Sequence, residues 1–408
     1  MKPASKQEKD KDKDKKNKAR FLSPSFRKGA VKDKKDKEKE NDDEESDFKI
    51  NLINAEDENE EEEPKSPKKN KKKHEKEKDK DKNKDKDKDK EKEKEHHHRS
   101  SQAKIEIKVN ALPEGRIKNV GSFSQAGKGE DGFTKVNQDS FLVLQNQYNL
   151  KDFNIFAVLD GHGVNGHLVS RFVTKYFTSF FKNNKNMNSN KNEDEVYYRL
   201  KKNESDIIKR AYRHAERDLQ KNSDIDANFS GTTCVMVMQV GEKILCANVG
   251  DSRDIMVKEG NQIIQLSIDQ KPDDPEESAR IIENGGEISQ FEEDGEKSGP
   301  FRVWKKGEAY PGIAMSRSIG DFIATTLGVI PVPKFIDQKI DNDTKFIVVA
   351  SDGVWEFLDN KKVAEIVLPF YKNNDPDGAC KALIKESTNW WNQEDIVVDD
   401  ITVIIVFF

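Results

Sequence analysis

Apolar and polar residues alternate strictly over Lys104-Ile105-Glu106-Ile107-Lys108-Val109, a period of two that predicts a half-buried strand and the start of an ordered domain. Ser140 to Leu144 and Asn154 to Leu159 predict two consecutive strands. A helical period then runs from about Asn165 to Phe181, with Leu168, Phe172, Tyr176 and Phe180 on one face. After a polar insertion at Lys182 to Glu195, the pattern predicts a second helix around Val196 to Gln220. Strands follow at Thr233 to Val240 and Lys243 to Val249. Asp273 to Gly285 predicts another helix, with proline near its start and glycine at its end. The closing region predicts a strand at 345–350, helices at about 360–372 and 376–391, and a last strand at 401–407. Strands neighbouring strands and helices neighbouring helices predict an α+β layered domain rather than a repeating βαβ fold. No repeat of fixed period is present.

Composition confines that domain to part of the chain. Of 408 residues only 33% are hydrophobic and 37% are charged. The imbalance is concentrated in residues 1 to about 100, in runs such as Lys84-Asp85-Lys86-Asp87-Lys88. Such a segment cannot bury enough apolar surface to offset its chain entropy. A disordered mixed-charge tail over 1–103 is therefore expected, with the ordered domain at 104–408. The net charge of −5 conceals an acidic block at Glu56 to Glu63 and a Lys-rich run at Lys65 to Lys73. That run suits nucleic acid, anionic lipid or an import receptor, or serves only to solubilise, since the acidic neighbours compete for its lysines. Ser23-Pro24 and Ser66-Pro67 fit proline-directed phosphorylation, and His96-His97-His98 carries no assignable role. No apolar stretch is long enough to span a bilayer and no signal-peptide core is present. Lys2 stands where N-myristoylation needs glycine. Cys234, Cys246 and Cys380 are expected as buried free thiols, in keeping with a reducing cytoplasmic or nuclear location.

Candidate chemistry sits at strand ends. The apolar run Phe156-Ala157-Val158-Leu159 stops at Asp160-Gly161-His162-Gly163, and Phe346-Ile347-Val348-Val349-Ala350 stops at Ser351-Asp352-Gly353. Asp399-Asp400 lead into the last strand. Asp-Gly is also an ordinary turn dipeptide, but three acidic strand ends meeting at one edge would repel one another unless a cation sat among them. An all-oxygen cluster favours Mg²⁺ or Mn²⁺ over zinc.

The ordered motifs are Asn137-Gln138-Asp139, Asp160-Gly161-His162-Gly163, Gly231-Thr232-Thr233, Ala247-Asn248-Val249-Gly250-Asp251-Ser252-Arg253, Asp269-Gln270-Lys271-Pro272, Ala314 to Asp321, Ala350-Ser351-Asp352-Gly353-Val354-Trp355 and Asp399-Asp400-Ile401-Thr402. Together they make the chain resemble the metal-dependent serine/threonine protein phosphatases of type 2C. The resemblance implies two antiparallel β-sheets packed together, with helices on both outer faces. It implies hydrolysis of phosphoserine and phosphothreonine in proteins by a water bridging two Mg²⁺ or Mn²⁺ ions. Asp160 would bridge the ions, the Gly161 carbonyl would ligate one, and Asp352 and Asp399 the other. Asp139 and Gln138 would hold bound water. His162 would protonate the leaving oxygen, or else be a turn residue hydrogen-bonded to backbone. A weaker third ion would fall to Asp251, Asp352 and Glu356, the last standing where aspartate is frequent. Thr233 would line the phosphate region.

The chain departs from the family pattern twice. Gln138 replaces a frequent acidic residue, and Thr134 replaces an arginine that commonly contacts phosphate, leaving Lys135 as a point charge for that task. Arg253 and Arg317 are read as packing or ion-pair residues next to Asp251 and Asp321. The segment 286–312, with Phe291, Phe301 and Trp304, matches a variable flap beside the active site; its aromatics either contribute to substrate choice or anchor the flap. Phosphoprotein partners, a monomer and no nucleic acid are expected. The alternative is a pseudophosphatase that binds phosphoproteins as a scaffold.

Overall fold

The computed structural model describes residues 115–184, 192–293 and 295–408, with the side chains of 203–205 excepted. The tail over 1–103 and the strand expected at Lys104 to Val109 lie outside these residues. In chain order the strands are β1 (Asn119–Gln125), β2 (Ser140–Leu144), β3 (Phe153–Leu159), β4 (Gly161–His162), β5 (Gly231–Thr232), β6 (Cys234–Val240), β7 (Lys243–Val249), β8 (Arg253–Lys258), β9 (Ile263–Gln265), β10 (Gly286–Glu293), β11 (Glu296–Lys305), β12 (Pro311–Ile313), β13 (Ile319–Gly320), β14 (Lys334–Lys339), β15 (Thr344–Ala350) and β16 (Ile401–Phe407). The helices are α1 (Gly166–Asn183), α2 (Glu193–Lys221), α3 (Pro275–Glu283), α4 (Phe322–Thr325), α5 (Asp352–Trp355), α6 (Asn360–Lys372) and α7 (Pro376–Glu394).

Two five-stranded antiparallel sheets form the frame, ordered β1-β16-β15-β8-β9 and β14-β7-β6-β3-β2. Alternation along β15 explains how they stack, because successive side chains point to opposite faces. Ile347 and Val349 turn inward to meet Phe156, Val158, Val235 and Val237 of the other sheet. Phe346, Val348 and Ala350 turn outward onto Val363 and Val367 of α6 and Ala379 and Leu383 of α7. Across the molecule α1 and α2 cover the second sheet, where Phe177 and Tyr212 pack ring against ring at 4.9 Å and the Tyr212 hydroxyl donates to the Ala247 carbonyl. The result is the helix-sheet-sheet-helix sandwich that the resemblance implied. All three cysteines are buried and free, as expected.

The helices begin and end where local chemistry dictates. Asn192, Asp274, Asp359 and Asp375 each accept a first-turn N–H through the side chain, satisfying donors that have no partner within the helix. A proline occupies the first turn of α3 and α7, where its missing N–H is harmless. Two small sheets complete the fold: β10-β11-β12 in the flap and β13-β5-β4 beside the sandwich. Within the flap the Trp304 indole donates to the Ser289 carbonyl, so this aromatic anchors the hairpin, whereas Phe291 and Phe301 remain exposed.

Candidate functional site

Strand ends from both sheets converge on one edge. Asp160 follows β3, Asp139 precedes β2, Asp352 follows β15 as the first residue of α5, and Asp399-Asp400 enter β16. The backbone of Asp160 is pinned from both sides by Thr233: its N–H donates to the Thr233 hydroxyl at 3.0 Å, and the Thr233 N–H donates to its carbonyl at 2.8 Å. Thr233 is fully buried and its hydroxyl also meets that of Ser252 at 2.7 Å, so it positions the aspartate from beneath. Asp139 accepts from the Ser351 hydroxyl at 2.9 Å, which ties the start of β2 to the residue beside Asp352.

These carboxylates crowd one another. Burial, followed by the charges of Asp352, Asp139 and Asp399, pushes the Asp160 carboxyl well above the usual range. Burial, with Asp251 and Asp399, pushes Asp352 up to about 8. Burial raises Asp139 to about 7, with Asp400 and Asp399 adding to it against hydrogen bonds from Thr402 and Ser351. Among the described residues the buried oxygens Asp139 Oδ1, Asp251 Oδ1 and Asp352 Oδ1 have no hydrogen-bond partner. Clustered, partnerless carboxylate oxygens are the donor set that a hard divalent cation requires. A tighter trio, Asp274, Glu276 and Glu277, lies elsewhere. There Asp274 caps α3, Glu276 pairs with Lys334, and Glu277 is held by Arg317 and Arg280, so those charges are already answered.

Other residues fall around this cluster. Gly161 lies so close to Gln138 and Gly166 that a Cβ would overlap their carbonyls, which explains why glycine stands beside Asp160. Gln138 donates through Nε2 to the Gly163 carbonyl at 2.6 Å, and its N–H is held by Asp400. Lys135 donates to Asp399 Oδ1 at 2.7 Å and lies 4.0 Å from Asp400 Oδ1. Burial pushes its ammonium down, but the charges of Asp399 and Asp400 outweigh this and leave it raised. Asp251 is buried and paired with Lys271, which burial pushes down and Asp251 then raises to about 12. Glu356 stays exposed one turn after Asp352, its N–H bonded to the Asp352 carbonyl.

His162 is partly buried and its Nε2 lies 2.6 Å from Asp321 Oδ2. Burial pushes the imidazole down, but Asp321, Asp251 and Asp352 outweigh it and raise it. Its partner is thus a carboxylate rather than backbone. Arg253 and Arg317 both serve ion pairs, though not with the neighbours expected. Arg253 forks onto Asp269 and lies over the Trp355 ring, while Arg317 forks onto the buried Glu277. Their partners are 16 and 40 residues away in sequence. The reading of single residues missed Asp321, Lys271 and Asp400. All three stand inside quoted motifs, and Asp400 adjoins the chosen Asp399.

The family description "Protein phosphatase 2C" matches residues 125–395. The chain is 34% identical over 301 residues to "Probable protein phosphatase 2C 35" of Arabidopsis thaliana, covering 69% of this chain and 82% of that one. It is 34% identical over 283 residues to "Probable protein phosphatase 2C 72" of the same plant, covering 67% and 82%. In fold it is similar to the serine-threonine phosphatase 2C of Toxoplasma gondii, with a TM-score of 0.59 at 20% identity, covering 71% of this chain and 94% of that one.

Proposed function

Since the chain belongs to the protein phosphatase 2C family, and is on that ground a protein-serine/threonine phosphatase, we propose that it is a divalent-cation-dependent one whose cations are held by Asp160, the Gly161 carbonyl, Asp352 and Asp399. The observation that carries this reading is that Asp160 is buried among the like charges of Asp352, Asp139 and Asp399, while Asp139 Oδ1, Asp251 Oδ1 and Asp352 Oδ1 have no hydrogen-bond partner among the described residues. Mg²⁺ or Mn²⁺ bound there supplies charge neutralisation for the phosphate dianion and acidifies water toward neutrality. Asp251, with Glu356 one turn beyond Asp352, is the candidate for a further, weaker cation.

The chain's own groups do the rest. Thr233 and Ser351 fix Asp160 and Asp139, so the carboxylates need not reorganise when substrate arrives. Lys135, adjoining the cluster on Asp399, offers an ammonium to the phosphate oxygens as a point charge. His162 delivers a proton to the departing serine or threonine oxygen, a poor leaving group without one. Substrates are phosphoproteins. No helix among the described residues is long and apolar enough to cross a membrane.

The test is phosphate release from a phosphothreonine peptide with Mn²⁺ or Mg²⁺, with chelator, and in Asp160→Asn and Asp352→Asn. Turnover should vanish with chelator and fall by at least about a hundredfold in both variants. Turnover that persists in folded variants, or in chelator, would remove the cation site from the mechanism.

A further inference from the structure

Asp321 occupies a place that its local structure does not explain. It precedes α4 as the N-cap residue, where an aspartate ordinarily accepts first-turn N–H groups, yet its side chain makes no capping bond. Its backbone is left-handed at φ 49°, a conformation that costs a non-glycine residue about 1 kcal/mol or more. Only 5% of it is exposed. The Asp321 N–H donates to the Ser230 carbonyl at 2.9 Å, and the Glu216 carboxylate accepts the neighbouring Gly320 N–H at 2.6 Å, so the strained turn is tied on both sides.

The strain is spent on reaching His162. In the small sheet, His162 of β4 lies opposite Gly231 of β5, and Gly231 lies opposite Gly320 of β13. Histidine and aspartate are therefore separated by one strand that carries no side chain at that point. A Cβ at Gly231 would overlap the Asp321 carboxylate, so this glycine is the gap through which Asp321 passes. Asp321 Oδ2 accepts from the Ser318 hydroxyl and meets His162 Nε2 at 2.6 Å. His162 Nδ1 is buried and has no partner among the described residues.

We infer that Asp321 is a positioning residue: it holds the His162 ring by one nitrogen, Nε2–H donating to Oδ2, so that Nδ1 is the atom that hands its proton to the leaving oxygen. In the step a water oxygen forms the new bond to phosphorus and the bond from phosphorus to the seryl or threonyl oxygen breaks. That oxygen takes the Nδ1 proton, and the proton released by the water returns to the imidazole through solvent. Throughout, Nε2–H stays on Asp321, which preserves a single tautomer. The inference rests on His162 being the general acid.

Leaving groups separate this role from a structural one. An alkoxide needs a proton as it departs, whereas 4-nitrophenolate leaves without help. Asp321→Asn should lower kcat on a phosphothreonine peptide by roughly 10- to 100-fold and on 4-nitrophenyl phosphate by less than about threefold, with His162→Gln showing the same asymmetry. The double variant should be no slower than His162→Gln alone. Histidine ¹⁵N spectra of the full chain should show the Nε2–H tautomer at His162, lost in Asp321→Asn and kept in Asp321→Glu if the longer arm still reaches. Equal losses on both substrates, additive losses in the double variant, or an unchanged tautomer in a folded Asp321→Asn would overturn the inference. If His162→Gln itself loses both activities equally, the general-acid reading fails first. If it keeps the asymmetry while Asp321→Asn does not share it, only the role of Asp321 fails.

Discussion

Asp254 faces the space between the two sheets, on the same side of β8 as Met256, which belongs to the inter-sheet core. The Cys246 thiol donates to its Oδ1 at 3.3 Å, and its Oδ2 has no partner among the described residues. Burial pushes this carboxyl up to about 7. A folded pKa raised above the unfolded value of about 3.9 means that the fold binds the extra proton. The contribution of Asp254 to stability is then greatest below about pH 4 and declines until about pH 7, the charged form being the one penalised. Asp254→Asn removes that decline. Its stability relative to the unsubstituted protein should grow between pH 5 and pH 8, within a ceiling of roughly 4 kcal/mol for three pKa units. Urea unfolding at the two pH values measures it, and an unchanged difference would show that Asp254 carries no such penalty. Asp160 and Asp352 were legible as site residues because each ends an apolar run. Asp321 was not, because its partner lies 159 residues away and no local pattern reports a contact made through a glycine gap.

At the level of elements, α3 was legible to within two residues at each end from its proline, its glycine and its helical period. What the helix is for was not. Its Glu277 is wholly buried and accepts from Arg317, Arg280 and the Ser316 hydroxyl, and Lys334 lies 3.2 Å away. Burial pushes this carboxyl up, but the bonds from Arg317 and Arg280 outweigh it and hold it well below the usual range. Periodicity says which face of a helix is buried, not which charge answers one placed on that face, so proximity in sequence pointed Arg317 toward Asp321. Glu277→Ala would leave two guanidinium groups without their acceptor under the 314–318 segment. Breaking one side of a buried pair costs about 3–5 kcal/mol, and thermal unfolding should show a fall in Tm of roughly 10 °C. A fall under about 2 °C would mean that backbone carbonyls, such as that of Val332 on Arg317, suffice to hold the arginines. The two large sheets were legible in the same way, as strands without their pairing. Registers such as Val348 opposite Ile405 join residues that no local signal connects.

For the molecule as a whole, the candidate cation site lies across the joint between the sheets. Asp139 and Asp160 belong to the sheet containing β2 and β3, whereas Asp352 and Asp399 belong to the sheet containing β15 and β16. Bringing the sheets together gathers buried like charges, so the packing that makes the core also creates electrostatic opposition at its edge. A divalent cation bound there would reverse the opposition and act as a link between the two halves. Ligand linkage then predicts that Mn²⁺ or Mg²⁺ at about a hundred times its dissociation constant adds roughly 2.7 kcal/mol, a rise in Tm of roughly 5–10 °C for a domain of this size. Replacing one crowded carboxylate by its neutral isostere should have opposite effects in the two conditions. In chelator at pH 8, Asp352→Asn should melt higher than the unsubstituted protein, because a repulsive group has gone. With Mn²⁺ it should gain little, and the order of the two curves should cross. Scanning calorimetry in chelator and in millimolar Mn²⁺ tests both arms. Curves that keep the same order in both conditions would mean that the carboxylates do not oppose closure of the sandwich, and that its stability is set by the apolar layers alone.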